Sequence, residues 1–172
     1  MKQRYVDLYM DLAKRISDMS VAERLKVGCV VVKDNAIISF GWNGTPSGWD
    51  NRCEQKDWMP ADAPSQYSEE EIQTIWPYVE YSDFNPDAII NRYRLKTKPE
   101  VLHAERNALD KLAKSNTSGD KSFLFVTHSP CLECAKSIYG TGISHVFYRE
   151  NYRSDDGIEF LKKCGVDVTK VS

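Results

Sequence analysis

Long apolar segments and surplus charge of one sign are both missing from this chain. No apolar run approaches the roughly 18 residues that a membrane-spanning helix needs. The formal net charge is only −2, which argues against the broad basic surface that dominates binding to nucleic acids. There is also no internal repeat and no low-complexity segment. A chain of 172 residues is therefore expected to form a single domain over residues 1–172, with neither a membrane nor a nucleic-acid partner.

Cysteine is too sparse, and odd in number, for an oxidised disulfide framework. The chain has five cysteines, and two of them belong to the motif described below. Cys29 lies inside an apolar run and Cys164 precedes Gly165 at a predicted helix end, so both are expected to be structural. Residues Met1–Tyr5 lead into an amphipathic pattern and not into the apolar core of a signal peptide. We therefore expect a cytoplasmic protein.

The first part of the chain predicts a helix followed by a β-hairpin. Apolar residues at helical spacing predict an amphipathic helix over residues 2–18. Val27–Val32 predicts a buried strand, and Ala36–Trp42 predicts a second strand that returns antiparallel to it. Asp34 and Asn35 form the turn between the two strands.

Residues 43–99 are expected to be mostly irregular. They carry all but one of the chain's seven prolines and contain one plausible helix, from Ser68 to about Trp76. An irregular insertion is predicted at about residues 50–98. Such a long excursion in a compact domain is usually functional or mobile.

Helices and strands alternate in the remaining part of the chain. The predicted order is helix 104–114, strand 122–127, helix 131–140, strand 144–148, helix 155–163 and strand 166–171. This alternation implies parallel neighbouring strands joined by crossover helices. The predicted fold class is α/β, a three-layer α-β-α sandwich around a five-stranded mixed sheet.

Two short segments carry the chemistry. His103-Ala104-Glu105 is followed downstream by Pro130-Cys131-Leu132-Glu133-Cys134, the pattern typical of zinc-dependent nucleobase deaminases. One neutral imidazole and two thiolates would hold Zn²⁺ and leave one tetrahedral position for water. His103, Cys131 and Cys134 are the predicted ligands, and Pro130 suits the start of a helix whose positive dipole end lowers cysteine pKa values.

Glu105 is the predicted catalytic residue. Residues two apart in a helix interior point away from each other, so His103 is expected to precede a helix that begins near Ala104. Glu105 would then lie in the first turn beside the water, where it can transfer protons without binding the metal.

A structural zinc site is the alternative interpretation of the same residues. Cys29, Cys53 or Cys164 would supply a fourth ligand, and Glu105 would be only a favourable first-turn acid. Such a closed site would leave no coordination position for a reaction.

Three longer segments resemble deoxycytidylate deaminases of eukaryotes and of T-even-type phages, in the zinc-dependent cytidine deaminase superfamily. These segments are His103–Ala108, Ser129–Lys136 and Gly41–Gly48. The resemblance covers nearly the whole chain and is loose only over residues 50–98. It implies a cytidine deaminase-like fold and conversion of dCMP to dUMP and ammonia. It also implies a homohexamer that dCTP activates and dTTP inhibits, with Mg²⁺ accompanying the effector nucleotide.

The resemblance also implies binding roles for the loop after the second strand. Asn43 is expected to contact the sugar of the substrate. The expected effector contacts are Lys26, Asn43, Gly44, Pro46 and Gly48. Backbone N–H groups of a glycine-rich loop can hold phosphate, although a tight turn alone would explain Gly44 and Gly48.

Four more residues are expected to contact the substrate. By resemblance, Tyr152 lies near the phosphate, where Arg153 can pair with it bidentately. Ala104 and Ser129 flank the metal ligands and are expected to contact the base through backbone groups.

The chain departs from T-even-type relatives in one respect. Those relatives bind a second, structural zinc through cysteine and histidine, whereas this chain has only His128 and His145 besides His103. We expect no second zinc, no ligand role for His145 and a plain thiol at Cys53, and a place near the pocket is an open alternative for His128.

Two rival functions remain open. One is a deaminase of bases in a polynucleotide, which would need a basic groove with interleaved aromatic side chains. The other is a non-catalytic, zinc-stabilised module that binds nucleotides.

Overall fold

The computed structural model describes residues 1–171, which form two compact units. One unit comprises residues 1–51 together with residues from Glu100 onward, and the other comprises Arg52–Pro99. The elements in chain order are α1 Gln3–Ser17, β1 Gly28–Lys33, β2 Ala36–Trp42, β3 Glu54–Trp58, α2 Ala63–Gln66, α3 Glu69–Ile75, β4 Tyr78–Tyr81, β5 Ile89–Thr97, α4 Ala104–Ala113, β6 Phe123–His128, α5 Leu132–Gly140, β7 His145–Glu150, α6 Asp156–Lys163 and β8 Asp167–Lys170. The expected insertion and the second unit occupy nearly the same residues, and a single domain stays a prediction.

The first unit is built on a five-stranded mixed sheet. Its strand order is β2-β1-β6-β7-β8. Strand β1 pairs antiparallel with β2 and β6, whereas β6, β7 and β8 pair in parallel. The prediction of a five-stranded mixed sheet is confirmed. Among residues 1–171, no helix combines the length and the apolar character needed to cross a membrane.

Both faces of this sheet are covered by helices. Alternate residues of β1 point to opposite faces of the sheet. Val30 and Val32 pack with α1, whereas Cys29 and Val31 pack with residues of α4, α5 and α6. All four are fully buried, as the run of apolar residues in β1 requires. The predicted α-β-α layering and the structural role of Cys29 are confirmed.

The β1–β2 hairpin turns through two residues in the left-handed region. Asp34 and Asn35 have φ angles of 49° and 61°, as a type I′ turn requires. Lys33 pairs with Ala36 directly after the turn, and the register shifts at Val31/Val32. The predicted hairpin is confirmed, with one bulge that the sequence pattern did not indicate.

The second unit contains a three-stranded antiparallel sheet in the order β3-β5-β4, so the expectation of irregular structure there is wrong. Strand β3 is mostly charged and has no apolar alternation, whereas β5 alternates Tyr93 and Leu95 with charged residues. Ion pairs also connect the strands. Lys56 forms an ion pair with Glu80 at 2.8 Å, and Arg94 forms one with Asp57 at 2.7 Å. The predicted helix is confirmed as α3, whose first turn has a capping box.

Candidate metal centre

Three candidate ligands meet where α4 and α5 begin. His103 is the N-cap residue of α4 and Cys131 is the N-cap residue of α5, both with extended backbones, while Cys134 lies in the first turn of α5. Their ligand atoms all lie within 4.8 Å of one another. The Nδ1 atom of His103 is 3.5 Å from the Cys131 sulfur and 3.4 Å from the Cys134 sulfur. The structure thus brings the three predicted ligands together.

The N-cap positions explain this convergence. The backbone of an N-cap residue is not helical. The direction of the His103 side chain therefore differs from the one that a helix interior would give it relative to Glu105. The predicted helix start near Ala104 is confirmed. Helix α5 begins at Leu132, one residue later than predicted, so Pro130 precedes the N-cap and does not open the helix.

The pKa values of the three side chains are shifted in different directions. Hydrogen bonds from Cys134 and His103 lower the pKa of Cys131 to about 3. The same thiolate, with burial and Glu105, raises the pKa of Cys134. Cys131 also raises the pKa of His103. One imidazole and two cysteine sulfurs at these distances are a donor set that fits Zn²⁺.

Glu105 lies beside these ligands and outside their group. It is in the first turn of α4, and its side chain is buried. Burial raises the pKa of Glu105 to about 7, while its own backbone N–H, His103 and Cys134 act in the opposite direction. An acid with a pKa near neutrality can both accept and release a proton at physiological pH.

No fourth protein ligand completes the group within the part of the chain that the structure describes. Cys29 lies in the core, Cys164 is the C-cap residue of α6, and Cys53 is buried in the second unit. None of the five cysteines, which all lie within residues 1–171, forms a disulfide. The arrangement favours a three-ligand site with one open position over a closed structural site.

Ser129 links the ligand-bearing segment to the loop after β7. The Ser129 N–H donates to the Glu150 carbonyl at 2.8 Å, and the Ser129 hydroxyl accepts from the Tyr152 N–H at 2.7 Å. Ser129 and Ala104 are buried, Tyr152 is half-buried, and the exposed Arg153 guanidinium lies 5.7 Å from the Tyr152 ring centroid. Substrate contacts by these four residues stay predictions.

Asn43 stabilises the chain around the start of β1. Its side-chain oxygen accepts from the Val27 N–H at 2.8 Å, and its side-chain nitrogen donates to the Leu25 carbonyl at 2.8 Å. The hydroxyl of Ser20 donates to the Asn43 carbonyl at 2.8 Å. This amide therefore has one N–H and one lone pair left for a ligand. A sugar contact by Asn43 stays a prediction.

The glycine-rich loop has less capacity for phosphate than its composition suggests. Gly44 exchanges both of its backbone hydrogen bonds with Leu102, so its N–H is already used. Gly48 is exposed with a φ of 89° in the turn closed by the Trp49 N–H and the Pro46 carbonyl. Lys26 is exposed beside β1. Their effector contacts stay predictions.

Two further residues, for which no role was predicted, support α4. The Asn107 side chain donates to the Trp42 carbonyl at 2.9 Å, linking α4 to the end of β2. A Cβ at Gly41 would lie 2.5 Å from the Ala104 carbonyl oxygen and 2.6 Å from the Ala108 nitrogen. A glycine inside a strand was the available signal for this close backbone approach.

The other two histidines lie outside the candidate metal group. His145 begins β7, where its ring stacks on Phe147 at 4.0 Å and its Nε2 atom is 2.8 Å from the Thr169 hydroxyl. His128 ends β6, with its Nδ1 atom 3.1 Å from the Thr127 hydroxyl. The absence of a second zinc stays a prediction, and a place near the pocket stays an open alternative for His128.

An α/β sandwich whose helix starts present one imidazole, two sulfurs and a buried carboxyl group defines the class of zinc hydrolases that act on nucleobases. The chain belongs to the family described as the cytidine and deoxycytidylate deaminase zinc-binding region, which matches residues 3–150.

Solved structures and curated sequences agree with this membership. This chain is similar to a dCMP deaminase from the cyanophage S-TIM5, whose crystal structure was determined in complex with dCMP and dUMP. The two sequences are 39% identical, the TM-score is 0.74, and the match covers 99% of each chain. The deoxycytidylate deaminase of Enterobacteria phage T4 is 30% identical over 94% of this chain and 87% of its own length. That of Saccharomyces cerevisiae is 27% identical over the whole chain and 46% of its own length.

Proposed function

We propose that this protein hydrolyses dCMP to dUMP and ammonia and so supplies dUMP for thymidylate synthesis. One structural observation carries the proposal: His103, Cys131 and Cys134 form a three-ligand group beside the buried carboxyl group of Glu105. Two relatives support dCMP as the substrate. The cyanophage protein is a dCMP deaminase whose crystal structure contains dCMP and dUMP, and the T4 protein is a deoxycytidylate deaminase.

His103, Cys131 and Cys134 would hold Zn²⁺. The bound metal would lower the pKa of a water molecule, which would make hydroxide available at neutral pH. The N-cap positions of His103 and Cys131 fix two ligands to rigid helix starts.

Glu105 carries the protons of the reaction. Its carboxylate accepts a proton from the attacking water and passes it to the ring nitrogen next to the attacked carbon. Glu105 then accepts a second proton, from the hydroxyl group that the attack adds to the ring carbon, and delivers it to the amino group, which leaves as ammonia when its C–N bond breaks. Its pKa of about 7 suits this exchange, because both protonation states are populated near neutrality.

The remaining contacts extend the same proposal. Ala104 and Ser129 contact the base, Asn43 contacts the sugar, and Tyr152 and Arg153 contact the phosphate. Ser129 and Tyr152 are already hydrogen-bonded to each other, which supports a shared place at the site.

Regulation by nucleotides is a further part of the proposal. dCTP activates and dTTP inhibits, with Mg²⁺, through Lys26, Asn43, Gly44, Pro46 and Gly48. Because the Gly44 N–H already bonds to Leu102, a contact there uses other atoms of the loop. A homohexamer and a cytoplasmic location complete the proposal.

An ultraviolet assay of several cytosine compounds tests this function. The zinc-loaded protein is given dCMP, cytidine, dCTP or a cytosine-containing oligonucleotide, each with and without dCTP or dTTP as effector. We expect deamination of dCMP, stimulated by dCTP and suppressed by dTTP. Loss of ammonia from the oligonucleotide alone would overturn the proposal in favour of a polynucleotide deaminase. No turnover of any compound, with nucleotide binding retained, would indicate a non-catalytic module.

A further inference from the structure

Helix α6 approaches the backbone of the Cys131 segment at Gly157. A Cβ at this position would overlap the Pro130 carbonyl oxygen and would lie 2.9 Å from both the carbonyl carbon and the carbonyl oxygen of Cys131. Gly157 is buried in the first turn of α6. The space that any side chain would need is therefore already occupied by the backbone next to a metal ligand.

The atoms that Gly157 meets cannot move independently of the metal site. They belong to the backbone of Pro130 and Cys131, and the proline ring restricts its own φ angle. Cys131 is the N-cap residue of α5, so its backbone also sets where that helix starts. A displacement of this segment would carry the Cys131 sulfur with it.

Hydrogen bonds hold the same segment from its N-terminal side. Ser129 is bonded to Glu150 through its N–H and to the Tyr152 N–H through its hydroxyl, at 2.8 and 2.7 Å. Strand β6 also pairs with β7 at His128 and Glu150. A displacement of Pro130 that also moved Ser129 would therefore lengthen these hydrogen bonds.

We propose that Gly157 is a positioning residue for the zinc site. Its missing side chain lets α6 fix the Pro130–Cys131 backbone, and so the Cys131 sulfur, at the distance from His103 and Cys134 that zinc requires. The inference rests on the metal site of the proposed function but not on the identity of the substrate. The alternative is that the glycine serves only the packing of α6 on α5.

Three variants separate a positioning role from a packing role. Gly157→Ala introduces the Cβ. Gly140→Ala is the matched glycine control, because it lies at the end of α5 and its Cβ would meet nothing within 4 Å. Leu161→Ala is the packing control, because this fully buried side chain of α6 belongs to the core and is distant in sequence from the ligands.

Zinc affinity is measured for each variant by competition with a chelator, and stability is measured with and without zinc. Absorption spectra of the Co²⁺-substituted proteins report sulfur coordination. We expect Gly157→Ala to weaken zinc binding by about 10- to 100-fold, as the loss of outer contacts to metal ligands does, and to shift the cobalt bands. Leu161→Ala should lose stability in both states with zinc affinity unchanged, and Gly140→Ala should match the wild type.

Two results would overturn the inference. Gly157→Ala with lower stability but wild-type zinc affinity and cobalt spectrum would show a packing role, as would a variant that does not fold even with zinc. The proposed function fails separately, because a wild-type protein that binds no zinc would refute the metal site itself. A wild type that binds zinc without deaminating dCMP would refute the substrate and leave the role of Gly157 intact.

Discussion

At the scale of single residues, burial sets the chemistry of Glu105. A carboxyl group removed from water favours its neutral form, and this effect outweighs the nearby His103 and the hydrogen bonds that favour the charged form. The resulting pKa of about 7 places the proton exchange of Glu105 in the neutral range. The identity of this acid was predictable from its spacing to His103, whereas its burial depends on the packing of α4.

Replacement of Glu105 by Gln tests its catalytic role. Gln has nearly the same shape but cannot exchange protons, so we expect kcat for dCMP to fall by about 10²- to 10⁴-fold. Zinc content and the far-ultraviolet spectrum should not change, because Glu105 is not in the ligand group. Wild-type turnover in this variant would remove Glu105 from the mechanism.

The same residue predicts a pH effect on the stability of the zinc-free protein. The folded pKa of Glu105 is about 7 and its ordinary value is 4.5, so its contribution to stability is complete below pH 4.5 and is lost as pH rises through 7. Relative to Glu105→Gln, the wild-type free energy of unfolding should decline by up to about 3 kcal/mol across this window. Urea unfolding at several pH values measures the difference, and parallel curves for the two proteins would contradict it.

At the scale of elements, turn and cap residues were predictable because their signals are local. Asp34 and Asn35 mark the hairpin, and His103 had to precede a helix. The strands of the second unit were missed for a physical reason. Strand β3 is mostly charged and has no apolar alternation, because its side chains are stabilised by partners on other strands, such as Glu80 for Lys56. The alternation in β5 is short, limited to Tyr93 and Leu95 among charged residues.

The loop after β2 offers a matched pair of glycines. Gly48 has a φ of 89°, so Gly48→Ala should cost about 1 kcal/mol of stability, because an L side chain strains this conformation. Gly44 has room for a Cβ, which would lie 3.9 Å from the Trp42 ring, and its φ is not positive, so Gly44→Ala should be nearly neutral. Thermal unfolding of both variants checks this. Equal losses would mean that the turn does not determine the need for glycine at residue 48.

At the scale of the whole molecule, the metal site joins segments that are distant in sequence. Helices α4 and α5 begin at Ala104 and Leu132, and the sheet of the first unit brings these two helix starts together. The ligands were predictable because coordination chemistry restricts residue types and spacing. The supports around them were not, since the close approach of Gly157 and the hydrogen bonds of Asn43 depend on tertiary neighbours.

X-ray absorption at the zinc edge of the purified protein tests the central claim most directly. We predict two sulfur neighbours at about 2.3 Å, one imidazole nitrogen at about 2.0 Å and one further light atom from water. The two sulfurs should be lost one at a time in Cys131→Ala and Cys134→Ala. A site filled by a third sulfur or a second imidazole would contradict the open position on which the proposed deamination depends.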